Sequence, residues 1–414
     1  MAVKYFFLLV NTGRILVLVV LGMSACTEEP DSAPVVAPDS ALESESRGDR
    51  WVRGKNYVAA IDSYLRAIAY RAESPEVLRK LADAYAQNEQ VSEAVVTYEK
   101  AISLKPDYAK ARTELALLLN RIDRRDEAFL QLEQAVKDRP DYAWAHLVLG
   151  LLHFKEGRYP EAVTAYERAI GAVPDYGEAW FNLGEVQRKR NDDIAAEKAY
   201  RQAVAADSTA ARFRDGLGGV FYRRRDYAAA VAEFRRAVEL DSLFAQSHFN
   251  LGNALLRSGH KEEGRRHIAI YRELDEEENL IESMKTTLLT RPDDAATYHD
   301  LAVLYGQRGQ YAQARVRYLQ ALARDSTFAP AYHNLGNIYL RQGQMAAAVQ
   351  LFQRALWADS TYALSHLALG NSLMLRKEFT RAIAHFQQGL RHDPDNAKLR
   401  RNLALAQEIA AGGG

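Results

Sequence analysis

Ala60, Ala94, Ala128, Ala162, Ala196 and Ala230 fall at a constant interval of 34 residues, and Tyr64, Tyr98, Leu132, Tyr166, Tyr200 and Phe234 follow them four residues later. Ala67, Ala101, Ala135, Ala169, Ala203 and Ala237 keep the same step. Spacings of three and four put side chains on one helical face, and a small residue on that face lets a neighbouring helix come close. The period suits a pair of helices joined by a turn. One such pair buries little alone, so stacked pairs must share a core. Gly or a polar residue makes the turn within each pair, as in EGRYPEA from Glu156 or RRDYAAA from Arg224.

Further positions keep the register. Leu81, Leu115, Leu149, Leu183, Leu217, Leu251, Leu301, Leu335 and Leu369 share one, and Gly150, Gly184, Gly218, Gly252, Gly336 and Gly370 the next. Pro106, Pro140, Pro174, Pro292 and Pro394 end the second helix, with Ser208, Ser242, Ser326 and Ser360 in place of proline elsewhere. On these residues the chain resembles the tetratricopeptide repeat family through nearly all of its length beyond the N-terminal region. The resemblance implies an all-α fold, a right-handed superhelical solenoid of antiparallel helix pairs. Repeats are expected over 41–278, a block of about seven of which the first overlaps the preceding tether, and over 295–396, a block of three. Residues 397–414 read as a capping helix and a glycine tail.

The register slips by sixteen residues near 275–294, with a helical insert expected over 279–294. GRRHIAIYRELDEEENLIESMKTTLLTRP has no Gly or Pro between Arg265 and Arg291, and Ile270, Leu274, Ile281, Met284 and Leu288 keep roughly helical spacing. One long helix over 261–291 is preferred to two short ones, because a separate helix would reverse the up-down order downstream.

The first 25 residues read as an export signal. Lys4 and Arg14 supply positive charge, Ile15 to Met23 an apolar run short for a bilayer, and small residues precede Cys26. Met23-Ser24-Ala25-Cys26 resembles the lipobox of bacterial lipoproteins, although that motif prefers Leu where Met23 stands. The resemblance implies that Cys26 is lipidated and that the protein is anchored in the bacterial cell envelope. Thr27 beside Cys26 favours the outer membrane, facing the periplasm. Residues 26–50, rich in Pro, Ala, Ser and acids, are expected to be a flexible tether.

Asn182, Asn250, Asn334 and Asn402 share one repeat position, with Asp300 there too, and Asn253, Asn337 and Asn371 another three residues on. In the family such positions tend to face the concave groove, and related proteins use asparagines there to grip a peptide backbone. An amide both donates and accepts, which suits an extended peptide of varied sequence. Phe181, Phe249, His299 and His333 occupy a further position expected to face the groove, and Trp144 stands where the repeat usually carries a polar residue. A solvent-facing Trp144 would suggest a contact; packing on a neighbour is the alternative. The row Arg53, Arg121, Lys155, Lys189, Arg223, Arg257 and Arg341 lies at first-helix C-termini, where the helix dipole favours cations. Thr113, Leu147, Phe181 and Phe249 stand where a carboxylate clamp would need lysine, which argues against capture of a chain-terminal carboxylate.

The 54 basic residues are matched by 54 acidic ones, so no net field draws in nucleic acid. Cys26 is the only cysteine, which excludes an internal disulfide. The ten histidines form no HExxH or ligand cluster, and no phosphate-binding glycine loop, GxSxG motif or nucleophilic cysteine appears. No catalytic residue, metal or cofactor is expected. The reading is a non-catalytic, lipid-anchored scaffold for protein or extended peptide, supporting assembly of an envelope complex. The alternative is an accessory regulatory subunit of an envelope glycan or cell-wall enzyme.

Overall fold

The computed structural model describes residues 40–70 and 74–412. The expected signal peptide and Cys26 lie outside the described residues. Ten helix pairs follow one another. Those of the first block are α1 (Ala41–Arg53) with α2 (Tyr57–Tyr70), α3 (Pro75–Gln87) with α4 (Val91–Leu104), α5 (Ala109–Arg121) with α6 (Arg125–Asp138), α7 (Ala143–Lys155) with α8 (Tyr159–Ala172), α9 (Gly177–Lys189) with α10 (Asp193–Ala206), α11 (Ala211–Arg223) with α12 (Tyr227–Leu240), and α13 (Ala245–Arg257) with α14 (Lys261–Thr290). The second block pairs α15 (Ala295–Gln307) with α16 (Tyr311–Arg324), α17 (Ala329–Arg341) with α18 (Met345–Ala358), and α19 (Ala363–Leu375) with α20 (Phe379–His392); α21 (Ala397–Gly412) packs on the end.

The 34-residue pattern is the core. Ala60, Ala94, Ala128, Ala162, Ala196 and Ala230 are all fully buried, and Tyr64, Tyr166, Tyr200, Phe234, Phe352 and Phe386 are almost fully so. Each of these rings lies against a first-helix glycine. A Cβ on Gly184 would stand 2.7 Å from the Tyr200 ring, and one on Gly336 2.6 Å from Phe352, so a side chain at either glycine would displace the ring as it is seated; where the position holds alanine, Ala82 and Ala302, the rings of Tyr98 and Tyr318 share its core.

All ten turns within pairs use a left-handed residue at one place. Gly157, Gly259, Gly309 and Gly343 fill it in four, and Lys55, Glu89, Asp123, Asn191, Arg225 and Lys377 in the other six, with φ of 56–65°. Four turns between pairs that lack proline are held by an aspartate instead. Asp207, Asp241, Asp325 and Asp359 accept from the backbone N–H two residues on, at 2.8–3.0 Å, which fixes the same bend without a ring.

The tether expected over 26–50 is corrected in its last part. Residues from Ala41 form α1, whose buried residues are Ser44 and Gly48. Gly48 seats the Tyr64 ring, and the Tyr64 hydroxyl donates to Asp49 at 2.8 Å. A helix that buries only small residues carries no apolar signature. At the register slip, α14 is one continuous helix of 30 residues. Its first half partners α13, while Ile281, Met284 and Leu288 in its second half join the core under α15 and α16. The sixteen extra residues advance the second block by about 24 Å along the helix axis. The superhelix also meets its own next turn: Arg315 Nη2 in α16 donates to the Gly54 carbonyl between α1 and α2 at 2.6 Å, beside a cavity of about 660 Å³.

Candidate functional site

Successive first helices touch one another, as α3 with α5, α9 with α11 and α15 with α17, and second helices show no comparable contact among the described residues. The wall whose members are closest is the inner wall of a curve, so the first helices line the concave side.

That proximity changes the reading of the asparagines. The residue at the Asn250 position meets one of the preceding repeat: Lys80 Nζ donates to Glu45 at 2.9 Å, Glu114 accepts from Arg79 at 3.0 Å, Asn250 Nδ2 donates to Asp215 at 3.0 and 3.1 Å, and Asn334 Nδ2 lies 3.0 Å from His299 Nε2. Asn402 donates to Asn371 at 2.6 Å. This is a ladder between adjacent first helices, made of whatever polar pair each repeat supplies. Asn250 and Asn334, expected to offer their amides to a peptide, spend them on the neighbouring repeat. Asn182 is turned to its own helix, donating to the Glu178 carbonyl at 2.7 Å. Asn253 donates to the Phe249 carbonyl at 2.9 Å with its amide oxygen uncommitted among the described residues, Asn337 is half-buried on the inner wall, and Asn371 is exposed with its oxygen taken by Asn402.

The aromatic position is also corrected. Phe181 stacks on Phe213 of the next repeat at 5.2 Å and tilts against Tyr200. His299 sits between Tyr318 and Phe328. His333, 8% exposed, lies between Phe352 and Tyr362 with Nδ1 3.1 Å from Ser365 Oγ, and burial pulls its pKa down to about 4. These side chains fill the joints between repeats, because the next first helix covers them. Phe249 differs, at 39% exposed, since the helix after its own is the long α14 and the following first helix is displaced along it. Trp144 is half-buried, edge-on to Tyr142 at 6.2 Å and packed against the cores on both sides, which is the neighbour-packing alternative and not a free contact. In the basic row, Arg121 donates to the Ala86 carbonyl at 3.2 Å and Arg223 to the Arg188 carbonyl at 2.9 Å, each capping the end of the preceding first helix.

A charged cluster on α3 and α5 was not anticipated. Arg79, with a 6% exposed side chain, pairs with Glu76 at 2.7 Å, Asp83 at 2.5 Å and Glu114 at 3.0 Å, and Tyr98 and Tyr108 donate to Asp83 and Glu76. Burial first, and the Asp83 charge second, push the Glu114 carboxyl up, while the Arg79 and Tyr108 hydrogen bonds hold Glu76 down at about 2. The signal was an arginine at the position of Phe181, Phe249, His299 and His333, flanked by acids three back and four on.

Among the described residues no group of three or more His, Cys, Asp or Glu could hold a metal ion, and no helix is long and apolar enough to cross a membrane.

Sequence profiles of the tetratricopeptide repeat match residues 113–176 and 147–211, 82–122, 218–259 and 304–343, 329–362 and 363–396. The chain belongs to the tetratricopeptide repeat family and is a repeat scaffold of the protein-binding kind. No curated protein matches it. Among solved structures it is similar to YrrB, described as a TPR protein with an unusual peptide-binding site, with 20% identity over 43% of this chain and 91% of that one and a TM-score of 0.36. It is also similar to a tetratricopeptide repeat protein from Parabacteroides merdae ATCC 43184, with 15% identity over 56% and 93% and a TM-score of 0.45. MamA from Desulfovibrio magneticus RS-1 matches with 20% identity over 41% and 96% and a TM-score of 0.36.

Proposed function

We propose that the concave wall of first helices binds an extended segment of a partner protein, and that the chain is a non-catalytic scaffold supporting assembly of a complex at the bacterial envelope. The observation that carries the binding reading is the row Asn253, Asn337 and Asn371 on the inner wall, which keeps amide groups to offer: Asn253 commits its Nδ2 to the Phe249 carbonyl and Asn371 its Oδ1 to Asn402, which leaves the other amide atom of each. Each amide made available to a peptide backbone is worth about 0.5–1.5 kcal/mol, so the three together support a difference of tenfold or more in affinity. The full mature chain, screened against a synthetic decapeptide library, selects peptides whose affinity falls by that factor in the triple variant Asn253→Ala, Asn337→Ala, Asn371→Ala. Unchanged affinity in a variant with an unchanged circular dichroism melt would remove these amides from the binding account.

The envelope placement rests on the lipobox-like Met23-Ser24-Ala25-Cys26 after an apolar run. Cys26 is acylated in this reading, and the protein fractionates with the outer membrane, facing the periplasm. Metabolic labelling with a fatty-acid analogue marks the wild type and not Cys26→Ser; equal labelling of both contradicts it.

A further inference from the structure

The stack of first helices is interrupted after α13, and the inner wall there holds a cavity of about 530 Å³ between α9, α11 and α13. Its walls include Glu185, Arg188, Asp215, Gly219, Tyr222 and Phe249. The lining carries two acids, Glu185 and Asp215, and two bases, Arg188 and Arg223, and both bases are paired with groups other than Asp215. Arg188 is paired with Glu185 at 2.5 Å, and Arg223 at the rim is taken by Asp193 at 3.2 Å and by the Arg188 carbonyl. Asp215 has no ion pair among the described residues. Its carboxylate is satisfied by neutral donors alone, the Ser247 hydroxyl at 2.8 Å and the Asn250 amide. A partly desolvated anion with only neutral partners favours a cation brought in from outside.

The floor of the cavity is kept open by a glycine that packing does not require. Gly216 and Gly218 in α11 each seat an aromatic ring, whereas a Cβ on Gly219 would meet nothing within 4 Å. The equivalent position in other repeats carries Asp83, Leu151, Glu185 or Asn337. Glycine within a helix is less favourable than any of these, so space, not helix stability, is what it provides. Tyr222 and the exposed edge of Phe249 give apolar walls on which the methylene stem of a long cationic side chain can lie.

We infer that this cavity is a subsite for a lysine or arginine side chain of the bound peptide, with Asp215 as its counter-ion; the inference rests on the peptide-binding reading above. The test is selection of an oriented decapeptide library on the full mature chain. Wild type enriches Lys and Arg at one position over norleucine by about tenfold or more, the scale of one charge-assisted contact. Asp215→Asn keeps the side-chain shape, still accepts from Ser247, and loses that enrichment while selection at other positions persists. Gly219→Leu touches none of the hydrogen-bonding groups, fills the cavity, and lowers retention of Lys and norleucine peptides alike. Bound peptides with no basic preference, or a preference that survives Asp215→Asn, overturn the subsite and leave the groove reading standing. Retention of no peptide at all overturns both.

Discussion

Glycine-to-alanine changes at three places give three different outcomes from one chemical change. At Gly343, in the turn between α17 and α18, φ is 76° and a Cβ meets nothing within 4 Å, so the cost is backbone only. A left-handed non-glycine residue costs roughly 1–2 kcal/mol, and restricting the unfolded chain returns about 0.5–1. Gly343→Ala therefore comes out neutral to about 1.5 kcal/mol destabilising. At Gly336, seven residues earlier, the backbone is helical and alanine gains about 1 kcal/mol in propensity. Its Cβ would lie 2.6 and 2.9 Å from two atoms of Phe352, a fully buried ring, and overpacking of that kind costs roughly 1–3 kcal/mol. Gly336→Ala comes out neutral to about 2 kcal/mol destabilising, with the loss in the α17–α18 core. At Gly219 neither penalty applies, and alanine stabilises by about 0.5–1 kcal/mol. Urea unfolding gives the sign, and native-state hydrogen exchange locates each change, because repeats can open separately. A stabilising Gly343→Ala, or a Gly336→Ala that gains as much as Gly219→Ala, would refute the assignment of turn and ring-seat roles.

His333 is neutral in its joint and held at about 4 against 6.5 when free, so the unfolded chain binds the extra proton and stability falls as pH drops below 6.5, by roughly 2 kcal/mol at pH 5; His333→Phe, the residue type found at Phe181 and Phe249, makes the slope in pH-dependent melts shallower, leaving the same-sign contributions of His153, His248, His267, His366 and His385, which burial also pulls down. Glu114 has the opposite sign: its folded pKa is raised, so stability is highest below the ordinary carboxylate range and falls as pH rises through it towards neutrality, and Glu114→Gln flattens the curve there. Arg315→Ala removes a charge-assisted bond worth about 1.5–3 kcal/mol between successive turns, so exchange at residues 54–57 speeds up and small-angle scattering reports a longer particle; unchanged scattering would mean that the contact does not set the pitch.

The repeat architecture was legible because its determinants are single residues at fixed places, an alanine such as Ala196 or a ring such as Tyr200. The start of the solenoid at residue 41 was legible only through the 34-residue step, since α1 buries Ser44 and Gly48 and looks like tether by composition. The turns were readable from the repeat step both where Gly157 stood and where Arg225 did, but the left-handed backbone was legible only at the glycines, since Arg225 and Lys377 adopt it without a sequence signal. The site was half legible. Sequence placed Asn250 and Asn334 on the inner wall, but the ladder that occupies them joins different chemistries in different repeats, Lys80 with Glu45 and Asn334 with His299, so no residue pattern announces it. Phe249 could be separated from Phe181 only through the continuous helix α14, which removes the cover that the next repeat gives elsewhere.

The central claim is that the partner lies along the inner wall of first helices. The direct measurement is photocrosslinking of a library-selected peptide to the full mature chain with benzoyl-phenylalanine replacing either Asn337, on the inner wall, or Trp357, a 77% exposed residue of the second helix α18. Crosslinking from position 337 and none from 357, competed by unlabelled peptide, is the result predicted here. Crosslinking from 357 with none from 337 would place the partner on the outer surface and contradict the account.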